Sequence, residues 1–225
     1  MPDTALVVMA RYPQIGTTKT RLARTIGDEE TVRLYRVFLT DLAWKFAGQT
    51  CDLHWAYTPV EVDYLSFIAT LAPWLIQHMH SFPQQGAELG ARLNNVFRLT
   101  CDREYQRTIV IGSDLPQISL KIVAQAQKAL DKADVVLGPA DDGGYYLIAM
   151  RRPYDVFRDI PMSTSMVAQM TIELAESQGL KVYTLENLFD IDEFPDLVRL
   201  AQLLETDSSL APETANYLAT IKELV

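Results

Sequence analysis

Short runs of apolar and β-branched residues alternate along this chain with longer segments that have helical periodicity. This alternation is typical of a mostly parallel sheet covered by helices and so predicts an α/β fold. The predicted strands are Ala5–Ala10, Cys51–Tyr57, Leu75–His80, Thr108–Gly112, Asp134–Gly138, Tyr145–Met150 and Lys181–Leu185. No internal repeat or linker rich in Gly, Ser or Pro divides the 225 residues, so we expect a single domain over 1–225.

Three intervening segments repeat residues at steps of three and four, as helices do when they bury one face. These stripes are Val32, Tyr35, Leu39, Leu42 and Phe46; Leu120, Val123, Gln127 and Leu130; and Met166, Met170 and Leu174. Ser119 and Ser163 stand where helix N-caps are expected. Two further helices are predicted, one from Pro195 and one from about Pro212.

The chain is acidic, with 29 Asp and Glu against 20 Lys and Arg and a formal net charge of −9. Nucleic-acid binding draws on clustered cations, and no long basic run is present, so no nucleic-acid partner is expected. No apolar run approaches the roughly 18 to 20 residues that span a bilayer, and no basic region precedes Ala5–Ala10. Neither a membrane partner nor secretion is expected.

The cysteines and histidines show no metal-binding pattern. Cys51 and Cys101 lie far apart, in neither a CxxC nor a metal spacing. We therefore interpret both as reduced, buried thiols of a cytoplasmic protein. His54, His78 and His80 are scattered in predicted strands, which disfavours a histidine metal site or a Ser/His/Asp triad.

The loop after the first strand, which starts at Arg11, concentrates cations, including Lys19 and Arg21. In an acidic protein this is a local reversal of charge at the sheet edge where ligands bind, and a phosphate-bearing ligand is its simplest explanation. Gly16 bends the backbone and the Thr18 hydroxyl adds a donor, although the spacing of a Walker A loop is absent. The alternative is that these cations are solvated or paired with carboxylates of the next helix.

Asp114 follows the predicted strand Thr108–Gly112 directly, at its carboxyl end. A hard oxygen ligand beside phosphates suits Mg²⁺ or Mn²⁺, which typically binds through one or two protein carboxylates plus substrate phosphates. The alternative is an aspartate that shapes a turn or caps a helix before Pro116.

The segment after the fifth strand places Asp141 and Asp142 before the pair Gly143 and Gly144. Adjacent acids repel unless a cation or hydrogen-bond donors are present, so we expect a functional role for Asp142. The two glycines suit either close approach of the backbone to a flat ligand or a sharp strand reversal, and both interpretations stay open.

Two more loops contain candidate residues. Asp190 and Asp192 belong to a run of carboxylates after the seventh strand, in which the helix dipole readily explains Asp196. We expect Asp190 and Asp192 to point to opposite sides of an extended segment, so that only one of them faces the site. The loop after the third predicted strand contains Gln85, Gly86 and Arg92, in an arrangement that is also common at helix starts.

The five motifs occur in order over residues 5 to 200. They are Lys19-Thr-Arg21-Leu, Gln85-Gly-x-x-Leu-Gly-x-Arg92, Gly112-Ser-Asp114-Leu-Pro, Gly138-Pro-x-x-Asp142-Gly-Gly-Tyr, and Asp190-Ile-Asp192 followed by Asp196-Leu. Together they resemble a bacterial transferase family of GT-A fold, known mainly as "radical-SAM/selenodomain-associated transferase 1". That family belongs to the nucleotide-diphospho-sugar transferase superfamily and is more distantly similar to the 2-phospholactate and molybdenum-cofactor guanylyltransferases.

The resemblance implies a single-domain, GT-A-like (Rossmann-like) three-layer sandwich. It implies that Lys19, Arg21 and Asp114 are catalytic, and that Asp114 binds Mg²⁺ or Mn²⁺ with Asp142 or Asp192 as the second ligand. The implied nucleotide-binding residues are Arg11, Gly16, Thr18, Gln85, Gly86, Arg92, Gly143 and Gly144.

One departure from related sugar transferases affects the expected reaction. Ser113-Asp114-Leu115 contains a single Asp where those enzymes commonly carry Asp-x-Asp, which favours nucleotidyl transfer. We expect metal-dependent transfer from a nucleoside triphosphate (NTP) to a small phosphorylated or carboxylated acceptor. The alternatives are glycosyl transfer from an NDP-sugar and nucleotide binding without turnover. The oligomeric state stays open, with a homodimer among the alternatives.

Overall fold

The computed structural model describes residues 3–162 and 164–221 and contains one seven-stranded sheet. The strands are β1 (Thr4–Arg11), β2 (Asp52–Thr58), β3 (Met79–Pro83), β4 (Arg107–Gly112), β5 (Val135–Pro139), β6 (Tyr145–Met150) and β7 (Val182–Thr184). Their spatial order is β3-β2-β1-β4-β6-β5-β7, and only β6 runs antiparallel to its neighbours. The prediction of a mostly parallel α/β sheet is confirmed.

Helices cover both faces of this sheet. They are α1 (Thr20–Ile26), α2 (Asp28–Phe46), α3 (Tyr64–Leu71), α4 (Leu89–Asp102), α5 (Leu120–Ala129), α6 (Val167–Ser177), α7 (Phe194–Thr206) and α8 (Pro212–Thr220), with short 3-10 helices at Pro73–His78 and Ser208–Leu210. Alternate residues of β1 face opposite cores: Leu6 belongs to the same buried cluster as Phe38 of α2, and Val7 to the same cluster as Phe97 of α4. The architecture is therefore the predicted three-layer sandwich.

The predicted strand Leu75–His80 was wrong, because a 3-10 helix occupies Pro73–His78 and β3 begins only at Met79. Proline at the first position favours the start of that helix. The apolar residues that follow it do not alternate with polar ones, as the residues of a half-buried strand would. The other six predicted strands correspond to observed strands within one or two residues at each end.

Two of the three helical stripes also need correction. In α5, Leu120 is 44% exposed, and Ile122, Val123 and Ala126 form the buried face. Gln127 is not a core residue, since its amide donates to Thr4 Oγ1 at 3.0 Å.

The stripe of α6 is displaced in the same way. Met166 precedes the helix and is exposed, whereas Val167, Ala168, Thr171 and Ala175 are buried. In both helices apolar residues occupy neighbouring positions, so a step of three or four fits more than one face.

The remaining expectations have mixed outcomes. Ser119 caps α5 by accepting a hydrogen bond from Ile122 N, whereas Ser163 lies outside the described residues. Cys51 is a buried free thiol as expected, but Cys101 is exposed near the end of α4. No helix in the described ranges is long and apolar enough to cross a membrane.

A buried carboxylate joins α2 to α8 near the C-terminal end of the chain. Asp41 is 2% exposed and accepts hydrogen bonds from Glu213 N at 2.9 Å, Thr214 N at 2.8 Å and Thr214 Oγ1 at 2.6 Å. It thereby satisfies amide groups in the first turn of α8 that have no partner within the helix.

We expect Asp41→Ala to lower the free energy of unfolding by about 3 kcal/mol, because buried donors of α8 lose a charged acceptor. Urea denaturation would measure the change. Asp63→Ala, which removes a solvent-exposed cap from α3, is the control and should cost less. Equal losses for the two variants would contradict a special role for the buried carboxylate.

Candidate functional site

A cleft of about 560 Å³ opens at the carboxyl ends of β1, β2 and β4. The chain leaves β1 toward β2 on one side, and β4 lies on the other, so the cleft is at the point where strand order reverses, the usual ligand position in such sheets. Its lining residues are Met9, Ala10, Arg11, Thr17, Thr18, Lys19, Thr20, Arg21, Tyr35, Thr58, Gln84, Leu89, Arg92, Ser113, Asp114 and Asp192.

Lys19 is the buried cation of this cleft, with a side chain only 6% exposed. Its Nζ lies 2.7 Å from Asp114 Oδ1 and 3.9 Å from Asp192 Oδ1, and it donates a hydrogen bond to Ile191 O at 2.6 Å. Lys19 therefore joins the loop after β1 to the loop after β4 and to the segment before α7. Its carboxylate partners come from distant loops, and not from the next helix.

The other predicted residues of the first loop have different roles. Thr18 is buried, and its Oγ1 accepts from Gln14 N at 2.8 Å and donates to Gln14 O at 2.9 Å, which closes the loop on itself. Gly16 adopts φ of 78° and does not line the cleft, so it serves the turn. Arg21 reaches Asp192, with NH1 at 3.5 Å from Oδ2.

Hydrogen bonds hold the segments that carry Asp114 and Asp192 against each other. Ile191 N donates to Asp114 O at 3.1 Å, and Gln117 Nε2 donates to Phe189 O at 2.7 Å. The two carboxylates are therefore fixed relative to each other by backbone contacts as well as by Lys19.

Tyr35 and Ser113 are site residues that sequence reasoning did not assign. The Tyr35 hydroxyl accepts from Arg11 N at 3.1 Å and bonds Ser113 Oγ at 2.8 Å beneath the cleft. Burial, with Asp114 adding to its effect, raises the pKa of Tyr35, so the hydroxyl stays protonated. Tyr35 occurs in a correctly predicted core stripe, where nothing in the sequence distinguishes a polar contact from packing.

The loop after β3 contributes Arg92 to the cleft, while Gln85 and Gly86 do not line it. Gly86 O accepts from Arg92 Nε at 2.9 Å, and Gln84 Oε1 accepts from Arg92 NH1 at 3.5 Å. Gln84, which the sequence analysis did not assign, also donates through Nε2 to Ala10 O at 3.2 Å and Ala56 O at 2.8 Å. It thus orients Arg92 and ties together the ends of β1 and β2.

The turn between β5 and β6 holds the predicted residues Asp142, Gly143 and Gly144, none of which lines the cleft. Asp142 Oδ1 accepts from Gly144 N at 2.8 Å. Gly143 has φ of 87°, and a Cβ there would clash with the backbone of Ser165. Gly143 is therefore explained by close backbone approach in a sharp strand reversal, whereas a Cβ at Gly144 would meet only the Asp142 side chain, at 3.1 Å.

Asp190 is a further acid of the site. Burial, with Asp142 and then Asp192 as neighbouring negative charges, raises the pKa of Asp190 to about 6. Burial also raises the pKa of Asp192, against the lowering effect of Lys19. Of the two acids only Asp192 lines the cleft. The expectation that alternation alone turns them to opposite sides was wrong in its reason, because residues two apart in an extended segment share a side.

Comparisons with known proteins identify a family and similar structures. The sequence profile of a family described as "uncharacterized protein conserved in bacteria (DUF2064)" matches residues 46–164. A protein of Desulfovibrio desulfuricans G20, provisionally described as a nucleotide-diphospho-sugar transferase, is 32% identical and superposes with a TM-score of 0.91 over 100% of this chain and 97% of its own.

Two further matches have lower sequence identity. The 2-phospho-L-lactate guanylyltransferase of Methanothermobacter thermautotrophicus is 24% identical over 151 residues, which span 67% of this chain and 63% of that protein. The 4-diphosphocytidyl-2C-methyl-D-erythritol synthase of Anaerococcus prevotii DSM 20548 is 11% identical, with a TM-score of 0.58 over 90% of this chain and 98% of its own. The second match shows a shared fold, consistent with the predicted GT-A-like class.

We expect Asp190→Asn to stabilise the protein at pH 7. The folded chain keeps the Asp190 proton up to about pH 6, whereas an unfolded aspartate releases it at about pH 3.9. The free energy of unfolding therefore falls as the pH rises between these two values. Asparagine does not ionise and avoids this loss. Thermal unfolding should show a higher Tm for the variant at pH 7 and no difference below about pH 4.

Asp155→Asn, which removes an exposed acid that pairs with Arg158, is the control and should give no gain at pH 7. A lower Tm for Asp190→Asn at pH 7 would show that the ionised carboxylate stabilises the fold.

Proposed function

This chain belongs to the DUF2064 family, and we propose that it transfers a nucleotidyl group from an NTP to a small phosphorylated or carboxylated acceptor. The observation that carries the proposal is the buried Lys19 ammonium between Asp114 and Asp192 at the edge of a cleft that Arg11, Arg21 and Arg92 also line. A cleft with this many cations in a protein of net charge −9 suits a polyanionic ligand.

The comparisons support a transferase that uses a nucleotide. The curated relative from Methanothermobacter thermautotrophicus is a guanylyltransferase, and the relative from Desulfovibrio desulfuricans carries a nucleotide-diphospho-sugar transferase description. Because the chain spans only 63% of the guanylyltransferase, its donor and acceptor remain part of the proposal.

Nucleotidyl transfer is favoured over glycosyl transfer by what surrounds Asp114. A second aspartate in an Asp-x-Asp motif would replace Gly112 or Pro116, and Pro116 is buried. Neither residue has a side chain that could bind a metal. Glycosyl transfer from an NDP-sugar is the second candidate, which the description of the Desulfovibrio relative supports.

The acids of the cleft fit a divalent cation of the Mg²⁺ or Mn²⁺ type. Asp114 and Asp192 both direct an Oδ1 toward the position of the Lys19 ammonium, and their side chains remain 39% and 45% exposed. Among the described residues, no three His, Cys, Asp or Glu side chains gather to hold a metal by themselves. Two carboxylates completed by substrate phosphates are how Mg²⁺ is commonly held.

Asp192 is the better second ligand, since Asp142 does not line the cleft. When bound there, the ion would neutralise phosphate oxygens and polarise the phosphorus under attack.

In the proposed reaction, an oxygen of the acceptor forms a bond to the α-phosphorus of the NTP. The bond from that phosphorus to the bridging oxygen breaks, and pyrophosphate leaves. A phosphate or carboxylate acceptor is already ionised at neutral pH, so no general base is needed. Catalysis then consists of positioning and of electrostatic stabilisation of the phosphates.

The residues of this chain provide that stabilisation. Lys19 is held by three groups and presents a fixed positive charge, which needs little reorganisation during the reaction. Arg21 lies beside Asp192 and can follow the phosphates, since its side chain is 63% exposed. We place the reaction in the cytoplasm, where free thiols such as Cys51 and Cys101 stay reduced.

We expect Arg21→Ala to weaken binding of nucleoside triphosphates by roughly tenfold or more and binding of nucleosides little, because one charge-assisted phosphate contact is lost. Calorimetric titration with each ligand would measure this. Arg24→Ala, which removes a cation from the same helix but not from the cleft, should change neither affinity. Equal losses for nucleoside and triphosphate would mean that Arg21 shapes the pocket and does not contact phosphate.

We expect Asp114→Asn to reduce Mg²⁺-dependent pyrophosphate release by about a hundredfold or more, because a ligand and the close partner of Lys19 are lost together. The assay combines Mg²⁺, a panel of NTPs and candidate acceptors such as 2-phospho-L-lactate. Asp131→Asn, at the amino end of β4 beside Arg107, is the control and should keep full activity.

The same assay separates the candidate functions. Release of NDP from an NDP-sugar would favour glycosyl transfer, and binding without either product would favour a nucleotide-binding protein. An unchanged Mg²⁺ requirement in Asp114→Asn would remove Asp114 from the metal site.

A further inference from the structure

A second lysine, Lys45 of α2, is partly buried outside the cleft and is absent from its lining. Its Nζ donates hydrogen bonds to three backbone carbonyls: Pro116 O at 2.6 Å, Ile118 O at 2.8 Å and Leu210 O at 2.5 Å. An ammonium has three N–H groups, so every one of them is used. Taking an ammonium out of water is unfavourable, and a lysine here therefore suggests a use that an apolar residue could not serve.

Two of these carbonyls belong to the loop between β4 and α5 that carries Asp114. The same helix α2 contacts the start of this loop through Tyr35, whose hydroxyl bonds Ser113 Oγ at 2.8 Å. Asp114 thus lies between two anchors on one helix, Tyr35 before it and Lys45 after it. Since α2 is a 19-residue helix that packs on the sheet, the anchors share one rigid support.

The third carbonyl links this loop to the end of the chain. Leu210 ends the 3-10 helix two residues before the start of α8. Asp41, one turn before Lys45 on α2, caps the first turn of α8 at Thr214. The two charged groups bond different backbone segments. The Asp41 carboxylate binds the first turn of α8, whereas the Lys45 ammonium binds the segment before α8 and the Asp114 loop.

We propose that Lys45 is a positioning residue that sets the place of the Asp114 carboxylate through the carbonyls of Pro116 and Ile118. Its effect on turnover rests on the proposed function; its effect on the loop does not. A methionine at position 45 could fill much of the same volume but could not hold two loop carbonyls at one point. The carboxylate of Asp114 would then have a wider range of positions relative to Lys19 and Asp192.

The backbone provides a reporter of this position that is independent of activity. Ile191 N donates to Asp114 O at 3.1 Å, so the exchange rate of the Ile191 amide hydrogen follows how firmly the loop is held. Hydrogen exchange by NMR would compare Lys45→Met, Lys45→Arg and Asp41→Ala at temperatures where their global stabilities are equal.

We expect Lys45→Met to accelerate exchange at Ile191 by about tenfold or more, and Asp41→Ala to leave it within about twofold of the unmodified protein. In the pyrophosphate assay, Lys45→Met should lower kcat by about tenfold and change KM for the NTP much less, because alignment is lost and binding cations are kept. Lys45→Arg, which retains donors, should recover part of both effects.

Several outcomes would overturn the proposal. Unchanged Ile191 exchange in Lys45→Met would show that Lys45 does not hold the loop. Equal effects of Lys45→Met and Asp41→Ala on exchange and kcat would show a role in stability only. If Lys45→Met does not fold, Lys45→Gln, which keeps an amide donor, is measured in its place with the same criteria. If the unmodified protein releases no pyrophosphate, the proposed function fails, and exchange at Ile191 still decides whether Lys45 positions the loop.

Discussion

The ion pair between Lys19 and Asp114 is the interaction on which the arrangement of the cleft depends. It joins the loops that follow β1 and β4, two neighbouring strands of the sheet. A buried ammonium is tolerated only with close partners, and here a carbonyl and a second carboxylate complete them. The pair therefore orders the cleft before any ligand arrives, which lowers the cost of arranging charges during a reaction.

This arrangement has an internal tension. Asp190 and Asp192 are partly buried near Asp114 and Asp142, so negative charges accumulate on one side of the cleft. Lys19 and Arg21 act against this repulsion at Asp192, whose pKa is raised chiefly by burial. Under the proposed function, a divalent cation that arrives with the nucleotide would relieve the repulsion that remains among these carboxylates. Under the proposed function, nucleotide and metal would therefore bind more favourably together than either would alone.

The layers of the fold and the charged residues of the cleft follow from the sequence, because strand runs and strand-end loops have simple rules. Lys19, Arg21, Arg92, Asp114 and Asp192 were all predicted and all line the cleft. The buried faces of two helices were predicted wrongly, because neighbouring apolar residues fit two helical faces equally well. Leu120 and Met166, assigned to the core, are exposed. Residues that act through hydrogen bonds from core positions, such as Tyr35 and Lys45, could not be found either, since partners more than 70 positions away decide their role.

The two ends of the sheet bear on how this protein behaves among other chains in a crowded cell. An edge strand offers unpaired N–H and C=O groups to any extended peptide, and its length sets how many bonds an intruder can form. Here the edges are β3, with five residues ending in Pro83, and β7, with three. Both strands are shorter than the roughly six- to seven-residue segments that form the tightly packed sheets of amyloid fibrils. The short edge strands therefore limit the number of hydrogen bonds that another chain could form with this open sheet.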